Sequence, residues 1–127
     1  MDEHCACPVN AFQRMISGKY KLRLIWDLRN GALRYGELQR SLGPIAPSGI
    51  TARVLSRELK ALAESHLIAR RDFRTVPPRV EYELTDLGRS LLPLIEHMQV
   101  WGVAHLVQEA ESQARSPERA HLQNASR

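Results

Sequence analysis

The chain has 127 residues, with 43% hydrophobic and 25% charged side chains and a formal net charge of +4. That length supports one hydrophobic core but not two. The sequence has no apolar run of about eighteen residues and no basic, apolar N-terminus, so we expect neither a membrane span nor a secretory leader. We therefore expect a single cytoplasmic domain.

The positive charge is concentrated in the middle of the chain. Residues 19–79 carry 13 basic and 5 acidic side chains, a net +8, whereas residues 1–18 and 80–127 are net negative. A basic segment of this size permits a nucleic-acid partner without establishing one, because many enzymes are basic too.

The chain begins with a polar segment that is followed by three short helices. Residues 1–10 surround two thiols, Cys5 and Cys7, and predict a flexible arm. The two cysteines lie too close together in the sequence to form a disulfide that stabilises the fold, so we expect reduced thiols. The spacing of apolar residues then predicts three helices, over 11–17, 19–30 and 34–42.

A turn-rich connector leads into a fourth helix. Residues 43–49 include two prolines and two glycines, which cannot continue a helix. Thr51 is the predicted N-cap of a helix that runs to about Ser65 with an apolar stripe. The opposite face is small, polar and basic, which suits a helix in the major groove of DNA; it consists of Ala52, Arg53, Ser56, Arg57 and Lys60.

Two strands and a long helix complete the predicted domain. Residues 67–73 and 80–84 predict the strands of a hairpin, since apolar and acidic residues alternate in the second. Thr85 predicts the cap of a helix from 86 to about 109 with a broad apolar stripe, in which Gly88 and Pro93 allow a kink or a late start. The predicted organisation is thus a flexible arm, one domain and a disordered tail, over residues 1–10, 11–109 and 110–127.

Several separated motifs, in order along the chain, resemble the HxlR family of bacterial transcriptional regulators. The resemblance extends from Cys7 to about Trp101 and implies a mainly α fold with a small β-hairpin, a winged helix-turn-helix with a long C-terminal dimerisation helix. The motifs are Cys7-Pro8-Val9, Gly18-Lys19-Tyr20-Lys21, Arg34-Tyr35-Gly36-Glu37-Leu38, Leu55 through Leu62, and Pro77-Pro78-Arg79-Val80-Glu81-Tyr82-Glu83-Leu84-Thr85-Asp86-Leu87-Gly88.

Three features depart from the family pattern. Tyr20 stands where the family usually has Trp, and the connector before Ile50 is a few residues longer than usual. His66 occupies a position where a Gly commonly ends the recognition helix, and His tolerates left-handed backbone geometry less readily than Gly. The longer connector leaves the angle of the recognition helix open.

The family's arrangement implies double-stranded DNA as a partner and assigns roles along the chain. Side chains near the start of the recognition helix are expected at base edges and later ones at phosphates, while wing arginines reach the backbone or minor groove. A solvated helix face and protective charges on edge strands are the alternative interpretations. The predicted DNA-binding residues are Ser48, Thr51, Ala52, Arg53, Ser56, Arg57, Lys60, Arg70, Arg71, Arg74 and Arg79.

The resemblance also implies a homodimer in which the first and last helices of each subunit pack across a two-fold axis. Two recognition helices on one side predict an inverted-repeat operator with half-sites roughly 34 Å apart. The resemblance implies repression, which is more common in the family than activation. The predicted interface residues are Phe12, Met15, Ile95, Met98 and Trp101.

Cys7 matches the position that many family members use to sense oxidants or electrophiles, so a small reactive inducer is a candidate ligand. An inert thiol is the equally weighted alternative. His4, Cys5 and Cys7 offer three soft ligands, but metal sites commonly need a fourth and a more open spacing. We expect no metal, no cofactor and no catalytic residues.

Two other functions stay open on the sequence alone. A thiol enzyme would need a Cys-x-x-Cys motif or a nearby His-plus-acid arrangement, and the sequence offers neither. A winged helix that binds protein rather than DNA would need a less basic surface than residues 53–60 and 70–79 provide.

Overall fold

In the computed structural model, residues 7–43 and 49–107 are described, and they form six helices and three strands. The helices are α1 (Pro8–Met15), α2 (Lys21–Asp27, extended by a 3-10 turn over Leu28–Asn30), α3 (Tyr35–Ser41), α4 (Ala52–Glu64), α5 (Asp86–Arg89) and α6 (Leu92–Gly102, followed by a π-helical segment over Val103–Val107). The strands are β1 (Leu33–Arg34), β2 (Ile68–Asp72) and β3 (Val80–Leu84).

The three strands form one antiparallel sheet in the order β1-β3-β2. Arg70 pairs with Tyr82 and Arg71 with Glu81 in the β2–β3 hairpin, which is the predicted wing. Strand β1 pairs Leu33 with Tyr82 and was not predicted, since two residues carry no periodicity of their own. The mainly α fold with a small hairpin is confirmed.

The chain divides into two units, Met1–Leu92 and Pro93–Arg127. In the first unit, leucine and isoleucine side chains from α2, α3, α4 and the sheet form a buried core, as the apolar spacing predicts. Its members include Leu24, Ile25, Leu28, Leu38, Leu42, Leu55, Leu59, Leu62, Leu67, Ile68 and Leu84.

Helix α1 begins three residues before the predicted boundary. Cys7 is its N-cap in an extended conformation and Pro8 is its first residue. Proline fits this position because its fixed φ suits a helix and its missing N–H has no intrahelical acceptor there. The predicted helix over 11–17 is therefore corrected to Pro8–Met15, and residues 1–6 of the predicted arm lie outside the described residues.

The predicted single helix from 86 to 109 is divided. Helix α5 ends at Arg89, and α6 begins at Leu92 with Pro93 in its first turn. Proline is tolerated in a first turn but not within a helix, where its ring clashes with the carbonyl four residues earlier. The predicted tail over 110–127 lies outside the described residues.

Helix α4 ends in a Schellman motif that directs the chain into β2. The Leu67 N–H donates to the Leu62 carbonyl and the His66 N–H to the Ala63 carbonyl, both at 3.0 Å. His66 has a φ of 61°, the left-handed conformation that glycine adopts more readily than histidine.

Thr85 fixes the angle between α4 and the wing. Its hydroxyl donates to the His66 carbonyl at 2.6 Å and accepts the Gly88 N–H at 3.0 Å, while its own N–H donates to the Leu67 carbonyl at 3.1 Å. The end of β3 and the start of α5 are thus bound to the turn that follows α4. This turn holds the predicted recognition helix against the sheet.

Candidate nucleic-acid interface

Helix α4 presents its polar and basic face to solvent. The Thr51 hydroxyl accepts the Val54 N–H at 3.2 Å, which confirms the predicted N-cap. The apolar side of the helix is buried in the core. The exposed face of α4 consists of Ala52, Arg53, Ser56, Arg57 and Lys60.

Helix α3 holds the start of α4. The Tyr35 hydroxyl donates to the Ala52 carbonyl at 3.0 Å and lies 3.4 Å from the Ser56 hydroxyl. The Gln39 amide donates to the Ile50 carbonyl at 3.2 Å, just before the helix begins. Two directional bonds therefore fix the end of α4 that is predicted to meet base edges.

The four predicted wing arginines do not form one cluster. Arg70 shares a face of the hairpin with Tyr82, and its guanidinium lies 4.0 Å from the Asp72 carboxylate. Arg71 and Arg79 stand on the other face, where their guanidinium carbons lie 5.1 and 4.6 Å from the Phe73 ring centroid.

Arg74 and Arg79 differ in their local restraints. Arg74 follows the last residues of β2 with a φ of 54°, and its backbone N–H donates to the Asp72 carboxylate at 2.8 Å. The Arg79 guanidinium is already bound to the Glu81 carboxylate at 2.7 Å. Arg74 is exposed at the hairpin loop and is the better placed of the two for a phosphate.

A cleft of about 240 Å³ separates α4 from the wing and brings their polar groups together. Ser56 and Lys60 line it from the helix, and Arg70 and Tyr82 line it from the hairpin. Lys60 of the exposed face of α4 and Arg70 of the wing therefore line one cleft, together with the apolar side chains of Leu59 and Ala63. Ser48 lies outside the described residues.

Cys7 is half-buried at the N-terminus of α1, where its carbonyl accepts the Ala11 N–H at 3.1 Å. Its thiol is free. Within residues 7–43 and 49–107, no group of three or more His, Cys, Asp or Glu side chains could hold a metal. His4 and Cys5 lie outside the described residues.

The predicted dimer residues differ in exposure. Phe12 and Met15 are half-buried on α1. Within α6, Ile95 is 6% exposed and has little surface for a partner, whereas Met98 and Trp101 are 45% and 58% exposed. None of the helices in the described ranges is long and apolar enough to cross a membrane.

Proteins of known sequence or structure share this arrangement. Residues 15–110 match the HxlR-like helix-turn-helix family. YdeP of Bacillus subtilis (strain 168), an uncharacterized HTH-type transcriptional regulator, is 41% identical over 101 residues, 80% of this chain and 75% of that protein. A MarR-family transcriptional regulator from Porphyromonas gingivalis W83 has a TM-score of 0.72 and 38% identity over 84% of this chain and 97% of its own.

The redox regulator HypR is similar in both of its solved forms. The reduced form has a TM-score of 0.71 and 36% identity over 82% of this chain and 99% of its own. The oxidised form has a TM-score of 0.68 and 37% identity over 78% of this chain and 97% of its own. The chain belongs to the HxlR-like helix-turn-helix family and is a transcriptional regulator with a helix-turn-helix DNA-binding fold.

Proposed function

We propose that the chain acts in the cytoplasm as a homodimeric repressor on an inverted-repeat operator in double-stranded DNA. The observation that carries this proposal is the cleft where Ser56 and Lys60 of α4 meet Arg70 of the wing. In this proposal α4 enters the major groove while the wing follows the backbone, so one continuous surface supplies both base and phosphate contacts.

Within that surface we assign roles by position along α4. Side chains in the first turns face the groove floor, because recognition helices enter by their N-terminal residues. Lys60 lies two turns later, beside Arg70, and is assigned to phosphate together with Arg57 and the wing arginines. The base-edge residues are Thr51, Ala52, Arg53 and Ser56.

The dimer is proposed to form through the exposed apolar residues of α6 together with α1. A run of exposed large side chains on one short helix is typical of an interface rather than of a free surface. Beyond Met98 and Trp101, it includes Leu94 and Val100 of α6, and it continues into Val103 and Leu106 of the π-helical segment.

Purified protein should bind DNA from upstream of its own gene more tightly than a scrambled duplex of equal length. Phosphate contacts release counterions, so the affinity should fall by about a thousandfold or more between 50 and 200 mM salt. A gel-shift or anisotropy titration at several salt concentrations measures both effects. Equal affinity for both duplexes would favour the protein-binding alternative, and a shallow salt dependence would contradict the proposed phosphate contacts.

Cys7 is proposed as a thiol switch, a role supported by the similarity to the redox regulator HypR. Hydrogen peroxide would convert the Cys7 thiol to a sulfenic acid and release water. The Cys7 thiol of the second protomer would then attack this sulfenic acid, form an intersubunit disulfide and release a second water. The link would change the spacing of the two recognition helices and hence the fit to the operator.

Oxidation should therefore abolish operator binding by the wild type and leave Cys7→Ser unaffected, because serine cannot form a disulfide. Cys5→Ser is the matched control for a neighbouring thiol. Titrations with reduced and peroxide-treated protein at one salt concentration, with non-reducing electrophoresis alongside, measure this. Loss of binding in oxidised Cys7→Ser would assign the effect to another residue, and oxidant-insensitive wild-type binding would remove the switch but leave the regulator.

A further inference from the structure

A largely buried ion pair connects α2 to the buried face of α4. The Lys21 ammonium lies 2.5 Å from a Glu58 carboxylate oxygen, and the two side chains are only 13% and 7% exposed. The same ammonium donates to the Ser17 carbonyl at 2.7 Å. Glu58 is the charged member of an otherwise apolar helix face and comes directly after the exposed Arg57.

The other Glu58 oxygen contacts Arg57, the preceding residue of α4. It lies 3.9 Å from the guanidinium of Arg57, whose side chain is 69% exposed. One carboxylate therefore contacts an internal lysine through one oxygen and a residue of the exposed face of α4 through the other. No role in DNA recognition follows from the sequence alone for either Lys21 or Glu58.

The turn before α2 is shaped for this pair. Gly18 has a φ of 129°, which side chains rarely adopt, and a Cβ there would stand 3.1 Å from the Lys21 nitrogen and 3.4 Å from the nearer Glu58 oxygen. The missing side chain of Gly18 thus leaves the space in which the Lys21 ammonium contacts the Glu58 carboxylate.

Stability alone does not explain a buried ion pair. Removing two charges from water costs about as much as their attraction returns, so an apolar pair of similar volume would hold the helices equally well. The ion pair differs from an apolar contact because its hydrogen bond depends on the relative orientation of the two side chains. Leucine contacts tolerate a rotation of a helix about its axis because burial is not directional, whereas an N–H···O bond weakens steeply when misaligned.

We propose that Lys21 and Glu58 are positioning residues that fix the rotation of α4 and thereby direct its exposed face at the DNA. The bonds of Tyr35 and Gln39 hold the start of the helix, and the ion pair holds its middle. This role rests on the proposed function, since it has a consequence only where α4 reads base edges.

The test replaces both partners together, Lys21→Met with Glu58→Met, because removing one alone would leave an unpaired buried charge that unfolds proteins. The double variant keeps the net charge, so its affinity for a scrambled duplex and its unfolding midpoint should match or exceed those of the wild type. Its affinity for the operator should fall about tenfold, the scale of one lost base contact. The measured quantity is the ratio of operator to scrambled-duplex affinity at fixed salt.

Arg23→Met with Asp27→Asn is the matched control. It removes a 3.0 Å ion pair within α2, preserves net charge, and leaves an amide that can still accept the Ser41 hydroxyl bond. This variant should keep the wild-type ratio, as should Lys21→Arg, which retains a cation opposite Glu58.

The possible outcomes separate the two proposals. If the Lys21→Met, Glu58→Met variant kept the wild-type ratio of operator to scrambled-duplex affinity, the positioning role would be overturned and the proposed regulator would remain. An equal fall of this ratio in the control variant would overturn the positioning role in the same way. A wild-type protein with no preference between the duplexes would overturn the proposed function, and the positioning role with it.

Discussion

Gly88→Ala should destabilise the protein by about 3 kcal/mol or prevent folding, because a Cβ has no space at this position. Gly88 is buried, and an added Cβ would overlap the Leu67 carbonyl oxygen and stand 3.2 Å from a Leu84 methyl. That same oxygen accepts the Thr85 N–H, so moving it would also break the bond between the turn that follows α4 and the end of the wing. Urea unfolding followed by circular dichroism measures the loss as a lowered midpoint.

Gly36→Ala is the matched control for Gly88→Ala. Gly36 lies in α3, and its nearest neighbour for a Cβ is the Arg40 guanidinium at 3.7 Å, an ordinary contact. Alanine in a helix loses less backbone entropy than glycine, so this variant should gain about 0.5–1 kcal/mol. A Gly88→Ala midpoint within error of the wild type would show that the α4-to-wing turn can shift, against the packing described above.

The sequence predicted those elements that carry their own local signals. Helix α4 has both a threonine cap and an apolar stripe, and its prediction was correct within one residue at its end. Strand β3 alternates apolar and acidic residues and was predicted with its observed bounds. Strand β1 was missed because its pairing partner lies about fifty residues away and its two residues have no pattern.

The candidate interface shows the same division between local and non-local information. The exposed face of α4 followed from helical spacing, which places every fourth residue on one side. Glu58 was not predicted to be buried, because its partner Lys21 lies 37 residues earlier and only the fold brings them together. Tyr35 lies in one of the family motifs, but no pattern in the sequence indicates that its hydroxyl holds the start of α4.

The two faces of the wing could not be separated from the sequence either. One role was predicted for all four arginines, whereas the alternation of β2 and β3 places Arg70 beside α4 and stacks Arg71 and Arg79 on Phe73. Period-two alternation predicts that neighbours face opposite sides, but which side meets α4 depends on the turn at His66. We therefore expect the proposed DNA roles of these arginines to differ by position.

Arg53→Ala should weaken operator binding by about 1–3 kcal/mol, roughly tenfold to a hundredfold, with little change on a scrambled duplex. Arg53 is exposed in the first turn of α4, next to the Ala52 carbonyl that Tyr35 holds. An arginine in this position can contact a guanine edge through two hydrogen bonds, and alanine can make neither. Competition titrations with operator and scrambled DNA measure the two affinities on one preparation.

Arg74→Ala is the contrasting variant, since it removes one positive charge as Arg53→Ala does but from the wing loop. Its backbone N–H remains bound to Asp72, so the loss of the side chain should leave the loop conformation in place. Affinity should fall to a similar extent on both duplexes. The slope of log affinity against log salt should become shallower by about the contribution of one phosphate contact. If both variants lost affinity equally on operator and scrambled DNA, base reading by α4 and backbone binding by the wing would no longer be separate roles, and electrostatic attraction alone would account for binding.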